Sequence, residues 1–160
     1  MTLPSSLKGL KCGFGGPCKR LDKVTLPSGL RDLQILQGGN HDISTLSLPS
    51  GLQNLTLGFY YDPANVEKVS LPNNLRTLSF IYGFSHSLDK VSLPSSLQTL
   101  DLGSRFNECM DKVTLPSSLQ QLKFGYYFNR ESNGLRLPDS LQTLEFETQF
   151  NQSIEKVSLP

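Results

Sequence analysis

The residues of this 160-residue chain that could do chemistry are three cysteines, two histidines, many serines and a scatter of carboxylates. Cys12 and Cys18 flank a Gly- and Pro-rich stretch. They lack the C-x-x-C spacing and the nearby histidine that a zinc site needs. A Cys12–Cys18 disulfide would require suitable geometry and an oxidising compartment. The simpler expectation is a buried Cys12 thiol, because Cys12 falls in an inward-facing apolar column. Cys109 reads as a lone thiol. His41 and His86 occupy the same position of a repeating unit two units apart. Stacked strands place them roughly 10 Å from each other, too far to share a metal. The serines recur once or twice in every unit, whereas a catalytic serine is singular. No glycine-rich phosphate loop precedes a helix, and no carboxylate pair stands apart from the general charge pattern. The sequence therefore predicts no catalytic residue, no metal ligand and no cofactor, and the chain reads as a non-enzyme.

What positions these residues is a repeat. Leu-Pro pairs place proline at Pro4, Pro27, Pro49, Pro72, Pro94, Pro116, Pro138 and Pro160, at spacings of 22 or 23. A fixed period in this range marks a stacked-coil solenoid. Aligned on proline, leucine recurs three residues on (Leu7, Leu30, Leu52, Leu75, Leu97, Leu119, Leu141) and again three beyond that (Leu10, Leu33, Leu55, Leu78, Leu100, Leu122, Leu144). Two further on lies a third apolar column: Cys12, Ile35, Leu57, Phe80, Leu102, Phe124 and Phe146. The last two columns are two residues apart, so they share one face of an extended strand. An aromatic column follows at Tyr61, Phe84, Phe106, Phe128 and Phe150, then a polar one that includes Asn107, Asn129 and Asn151. Next comes an apolar column of Ile43, Leu88, Met110 and Ile154, which Ser132 breaks.

The predicted fold is mainly β: a right-handed parallel solenoid of seven short coils with little or no α-helix. It forms a single array over residues 1–160, with coils at 2–24, 25–46, 47–69, 70–91, 92–113, 114–135 and 136–157 and a partial unit at 158–160. One 22-residue coil cannot offset its own ordering entropy, at roughly 1–2 kcal/mol per residue, so such units occur in series. The outer arc is too short and too rich in turn formers for a helix. Extended or 3₁₀ backbone is expected there, and the alternation in Lys90-Val91-Ser92-Leu93 allows a second short strand.

These residues resemble the leucine-rich repeat superfamily and, more narrowly, the FNIP-type repeat. The family phrase is approximately F-N-x-x-[IL]-x-x-x-x-LP-x-x-L-x-x-L-x-[FL]-G. Phe106 to Gly125, FNECMDKVTLPSSLQQLKFG, matches it best. Phe128-Asn129 and Phe150-Asn151 restart it, while Phe-Asn is missing from the first three units. The resemblance implies a leucine-rich-repeat-like fold and a binding scaffold. Some family members also carry an F-box segment, but no such stretch is visible here, so a ubiquitin-ligase role does not carry over.

Polar side chains also form columns. On the strand face, Lys11, Gln34, Thr56, Ser79, Asp101, Lys123 and Glu145 lie between the second and third apolar columns. Asp101, Lys123 and Glu145 alternate in sign, and pairing among themselves is the simplest reading of them. Just beyond the strand is a rim of Phe59, Tyr60, Tyr82, Arg105, Tyr126 and Tyr127. Tyrosine and arginine anchor many protein interfaces; lateral stacking along the solenoid is the alternative role. The opposite edge carries acidic–basic pairs such as Glu67-Lys68, Asp89-Lys90 and Asp111-Lys112, which read as a solvated edge.

The leading expectation is a scaffold that binds protein partners through the strand face and the aromatic rim. The alternative is a structural subunit or fragment packed inside a larger assembly, its coils meeting neighbours end to end. A remote third reading is ice or carbohydrate binding by the column Ser47, Ser70, Ser92, Thr114 and Ser158, which Arg136 interrupts. A net charge of +1 gives no field to recruit nucleic acid or anionic lipid. No apolar run is long enough to span a bilayer. A repeat begins at once after Met1, so no signal peptide is expected, and an intracellular, cytoplasmic location follows. The sequence names no partner.

Overall fold

The computed structural model describes residues 3–13, 24–36, 45–58, 67–81, 84–155 and 157. Its strands are β1 (Gly9–Cys12), β2 (Asp32–Ile35), β3 (Asn54–Gly58), β4 (Thr77–Ile81), β5 (Thr99–Asp101), β6 (Gln121–Lys123) and β7 (Thr143–Glu145). They form one seven-stranded sheet in sequence order, and every neighbouring pair is parallel. The fold is the expected leucine-rich-repeat-like parallel solenoid, and no α-helix occurs among the described residues.

The register follows the sequence columns. Leu10, Leu33, Leu55, Leu78, Leu100, Leu122 and Leu144 lie opposite one another from strand to strand. A one-residue slip would turn this whole column out to solvent, so burial fixes the pairing. The Leu-Pro turn sets the angle at which each strand is approached. In all seven units the proline carbonyl accepts a hydrogen bond from the N–H of the leucine three residues on, from Pro4–Leu7 at 3.1 Å to Pro138–Leu141 at 2.9 Å. That bond closes a tight turn whose leucine drops into the core: Leu30, Leu52, Leu75, Leu97 and Leu119 are fully buried. The serines of these turns tie coils together. Ser96, Ser118 and Ser140 donate through Oγ to the carbonyls of Leu75, Leu97 and Leu119, at 2.7, 2.6 and 2.6 Å.

Aromatic rings fill the second half of the array. Phe84, Phe106, Phe128 and Phe150 stack from coil to coil with centroids 5.9, 6.0 and 5.9 Å apart. Within coils, Phe80 packs on Phe84, Phe124 on Phe128 and Phe146 on Phe150, at 4.0, 4.1 and 4.1 Å. Each such ring pair contributes roughly 0.5–1.5 kcal/mol beyond its area burial. Gly103 lets the chain leave β5 beside this stack. Its φ is +73°, and a Cβ there would collide with the Phe80 carbonyl.

One local expectation is corrected. Lys90–Leu93 forms no strand. The outer arc instead bends through tight turns in which Val91, Val113 and Val157 donate to the carbonyls of Leu88, Met110 and Ile154 at 2.9, 3.0 and 3.0 Å. These turns use the N–H groups locally, so a second ladder does not form. A second correction concerns Cys12. It is buried as expected, but its sulfur is disulfide-bonded and is not a free thiol. Cys18, the partner considered for a disulfide, lies outside the described residues. Cys109 is free and exposed.

Ser132, the residue that breaks an apolar column, is 4% exposed and its hydroxyl has no hydrogen-bond partner. A buried unsatisfied hydroxyl costs about 1–3 kcal/mol. Ser132→Ala should therefore raise stability by about 1 kcal/mol or more in urea unfolding, with an unchanged m-value. A loss of stability would mean that the hydroxyl has a partner after all. The aromatic stack makes a graded prediction. Phe128→Ala should cost about 3–5 kcal/mol, and Phe150→Ala, whose ring is only partly buried, distinctly less. Equal losses would show that stacking position does not matter.

Candidate functional site

The strand face is where the parallel register gathers polar side chains. Because strands stack about 4.8 Å apart, residues in one column become lateral neighbours. Asp101 lies opposite Lys123, and Lys123 opposite Glu145. Lys123 Nζ sits 3.6 Å from Glu145 Oε2 and 3.3 Å from Glu147 Oε1. The hydrogen bond that Lys123 donates to Glu147 and the charges of Glu147, Asp101 and Glu145 together outweigh partial desolvation and push the Lys123 pKa above its ordinary 10.5. Asp101 also accepts a hydrogen bond through Oδ1 from the Gly103 N–H at 3.0 Å, which anchors its carboxylate at the strand end. Upstream on the same face, Asn54 Nδ2 donates to Asp32 Oδ1. The expected self-pairing of the charged column thus holds for Lys123 with Glu145. The cluster still carries three carboxylates around one ammonium.

A groove of about 310 Å³ begins here. Asp101, Lys123 and Glu147 form its charged side, and Gly103, Ser104 and Gly125 line the turn beyond the strands. Gly103 and Gly125 are stacked so closely that a Cβ on Gly125 would strike the Gly103 carbonyl. The groove therefore has a bare backbone floor.

The rim follows directly in the chain. Tyr126 is 39% and Tyr127 55% exposed. Their rings meet edge to face, with centroids 4.9 Å apart and planes at 83°. Tyr126 is held from the next coil by Gln149 Nε2, which donates to its hydroxyl at 3.1 Å. The Tyr127 N–H donates to the Ser104 carbonyl at 2.9 Å. The two tyrosines pack on each other within one turn, which is not the lateral coil-to-coil stacking considered for them. Arg105 is exposed on the neighbouring turn. Phe59, Tyr60 and Tyr82, the remaining expected rim residues, lie outside the described residues.

Glu147 was not singled out in the sequence. It lies two residues beyond Glu145, and an alternation of two carried past the end of β7 would have placed it on the same face. On the opposite edge, Lys90 Nζ approaches Glu67 Oε2 at 3.4 Å. Both side chains reach solvent, as expected of a solvated edge. Among the described residues there is no group of three His, Cys, Asp or Glu that could hold a metal ion. His86 packs edge-on against Phe84, at 6.4 Å between ring centroids; His41 lies outside the described residues. No helix among the described residues is long and apolar enough to cross a membrane.

Parallel strands, one per 22- or 23-residue unit, with Leu-Pro turns between them define a leucine-rich-repeat-like solenoid. The FNIP repeat matches residues 61–105, 84–127, 106–147 and 128–160, and the chain belongs to the FNIP repeat family. The chain is also similar to a solved protein described as "The crystal structure of CroV588 a novel circular LRR protein structure", with 38% identity and a TM-score of 0.76. That similarity covers 95% of this chain but only 22% of the other. No curated protein matches.

Because the Lys123 pKa is higher in the folded chain, its ion pairs stabilise the fold fully below about pH 10.5 and lose that contribution as pH rises through the folded value. The side chains are 41% and 53% exposed in the Lys123–Glu145 pair, so the effect is small. Lys123→Met should cost under about 1 kcal/mol at neutral pH, and the difference from wild type should shrink as pH rises above 10.5. An undiminished difference in alkaline unfolding curves would mean that packing of the lysine stem, not its charge, matters.

Proposed function

We propose that this chain is a non-catalytic scaffold that binds a protein partner through the strand face and the adjoining tyrosine rim. The observation that carries this reading is the exposed, edge-to-face Tyr126–Tyr127 pair beside a charged groove. Two large amphipathic rings already fixed against each other and against Gln149 lose little freedom on binding, and aromatic anchors of this kind dominate interface energetics. Asp101 and Glu147 outnumber Lys123 along the groove, and Glu145 stands beside Lys123, so this face favours a partner segment carrying lysine or arginine. Arg105 extends the contact toward the neighbouring coil. The fold supports the same reading: leucine-rich-repeat solenoids present a wide, regular surface that side chains vary without disturbing the core. The protein reads as non-enzymatic because its recurring serines and carboxylates are occupied in turns and ladders.

The test is selection of a phage-displayed peptide library against the folded chain. Enriched peptides should contain basic residues. Tyr126→Ala and Tyr127→Ala should each weaken their binding at least about tenfold, while Lys90→Ala on the opposite edge leaves it unchanged. Peptides whose binding ignores both tyrosines and Lys123 would overturn the assignment of this face.

A further inference from the structure

The groove beside Asp101 has a direction. Ile81, Gly103, Gly125 and Glu147 stand 22 residues apart, so they hold one position in four successive coils, and all four line the groove. It is therefore a trough along the stacking axis, running across the strands. It is open where that position is glycine and ends where the position carries a side chain, Ile81 at one end and Glu147 at the other. The close stacking of the coils keeps the floor bare: a Cβ on Gly103 would collide with the Phe80 carbonyl, and one on Gly125 with the Gly103 carbonyl. Asp101 and Lys123, each two residues before a glycine, form the wall on the strand side.

The dimensions select the occupant. Three coil steps of about 4.8 Å make the trough roughly 14 Å long. Spread over that length, a volume of about 310 Å³ leaves it roughly 5 Å across, too narrow for a helix of about 10–12 Å diameter. An extended segment fits. Such a chain advances about 3.3 Å per residue, and its side chains alternate in direction. Residues four apart therefore share one face and span roughly 13 Å, close to the distance between the two ends.

The ends differ in chemistry. Ile81 is a half-buried aliphatic side chain. At the other end two carboxylates share one ammonium: Lys123 Nζ lies 3.3 Å from Glu147 Oε1 and 3.6 Å from Glu145 Oε2. The Lys123 and Glu147 side chains are 41% and 39% exposed, and ion pairs this open to water are weak. A second cation can take the place of the first. Resting on the peptide-binding role proposed for this face, we propose that the trough holds an extended partner segment along the stacking axis. An apolar side chain of that segment packs on Ile81, and a lysine or arginine four residues away replaces Lys123 on Glu147. Lys123 is thus the occupant of the acidic end in the free protein, and it neutralises Glu147 until a segment also anchored at Ile81 displaces it.

The experiment is calorimetric titration of the folded chain with a basic peptide enriched by selection against it, with circular dichroism confirming the fold of each variant. Enriched peptides should carry an apolar and a basic residue four apart. Moving the basic residue to two from the apolar one should weaken binding about threefold or more. Glu147→Gln should weaken the original peptide about threefold, and Lys123→Met should strengthen it about threefold. Both substitutions break the same internal ion pair, so a merely structural role of that pair would shift affinity in the same direction for both. The gain from Lys123→Met should also vanish in the Glu147→Gln background; a gain that persists would reflect the general field of the face and overturn displacement. Peptides that need Tyr126 and Tyr127 but show no spacing of four, or no opposed effects at Lys123 and Glu147, would overturn the trough and leave the scaffold reading standing. A selection that yields no basic, tyrosine-dependent peptide would overturn both.

Discussion

Everything in this molecule depends on lateral registry: each coil must lie on the next with its columns aligned. The strands are only three to five residues long, too short for ladder hydrogen bonds alone to hold them. Registry comes from three devices acting at once. Leucines two and three columns deep exclude water from between coils. A proline-capped turn presents the same leucine at the same angle in every unit. At each of the six junctions the carbonyl just before a strand takes two N–H groups from the following coil. Loss of registry at one junction would undo all three, which is why the sequence tolerates so little variation at these positions and so much between them.

The two halves of the array meet this constraint differently. From Phe80 onward, stacked phenylalanines fill the space behind the strands. Asparagines then reinforce the stack: Asn107 Oδ1 accepts from the Asn129 N–H, and Asn129 Oδ1 from the Asn151 N–H, at 2.9 and 3.1 Å. The Phe-Asn pair of the family phrase therefore has a physical meaning. The ring fills the coil, and the amide bonds the coil that follows. The early units lack Phe-Asn. There aliphatic Ile35 and Leu57 take the third column, and long polar side chains reach across instead: Arg31 Nη1 donates to the Gly51 carbonyl and Asn74 Nδ2 to the Ser50 carbonyl.

This division explains how much of the structure could be read from the residues. Periodicity of 22 or 23 forces identical coils, so strand order, parallel pairing and register were legible wherever leucine marks a column. The outer arc was less so. Lys90-Val91-Ser92-Leu93 alternates like a strand, but alternation reports which side chains face inward and not where the backbone N–H groups go. Those were taken by turns to Leu88 and its counterparts. Cys12 illustrates the same limit. Its column foretold burial, while its covalent state depends on a partner sulfur that no column specifies. For the candidate site, the charged column and Tyr126–Tyr127 were visible as positions, and the pairing of Lys123 with Glu147 was not, because Glu147 lies past the strand end.

The charged column also shows how one constraint serves two purposes. Side chains that face solvent contribute little to the core, so the strand face is free to vary, and over Thr56, Ser79 and Thr99 it stays neutral. Three consecutive charged positions of this column fall on β5, β6 and β7, beside exposed tyrosines that stand on stacked phenylalanines. Rigid backing and a varied surface thus occur together. A tyrosine rim without such backing would have to be ordered by its partner, at a cost in affinity. On the phenylalanine-filled coils that order exists before binding, because Phe128, one residue beyond Tyr127, is locked between Phe106 and Phe150. The same packing that keeps the coils in register holds the proposed binding surface in shape.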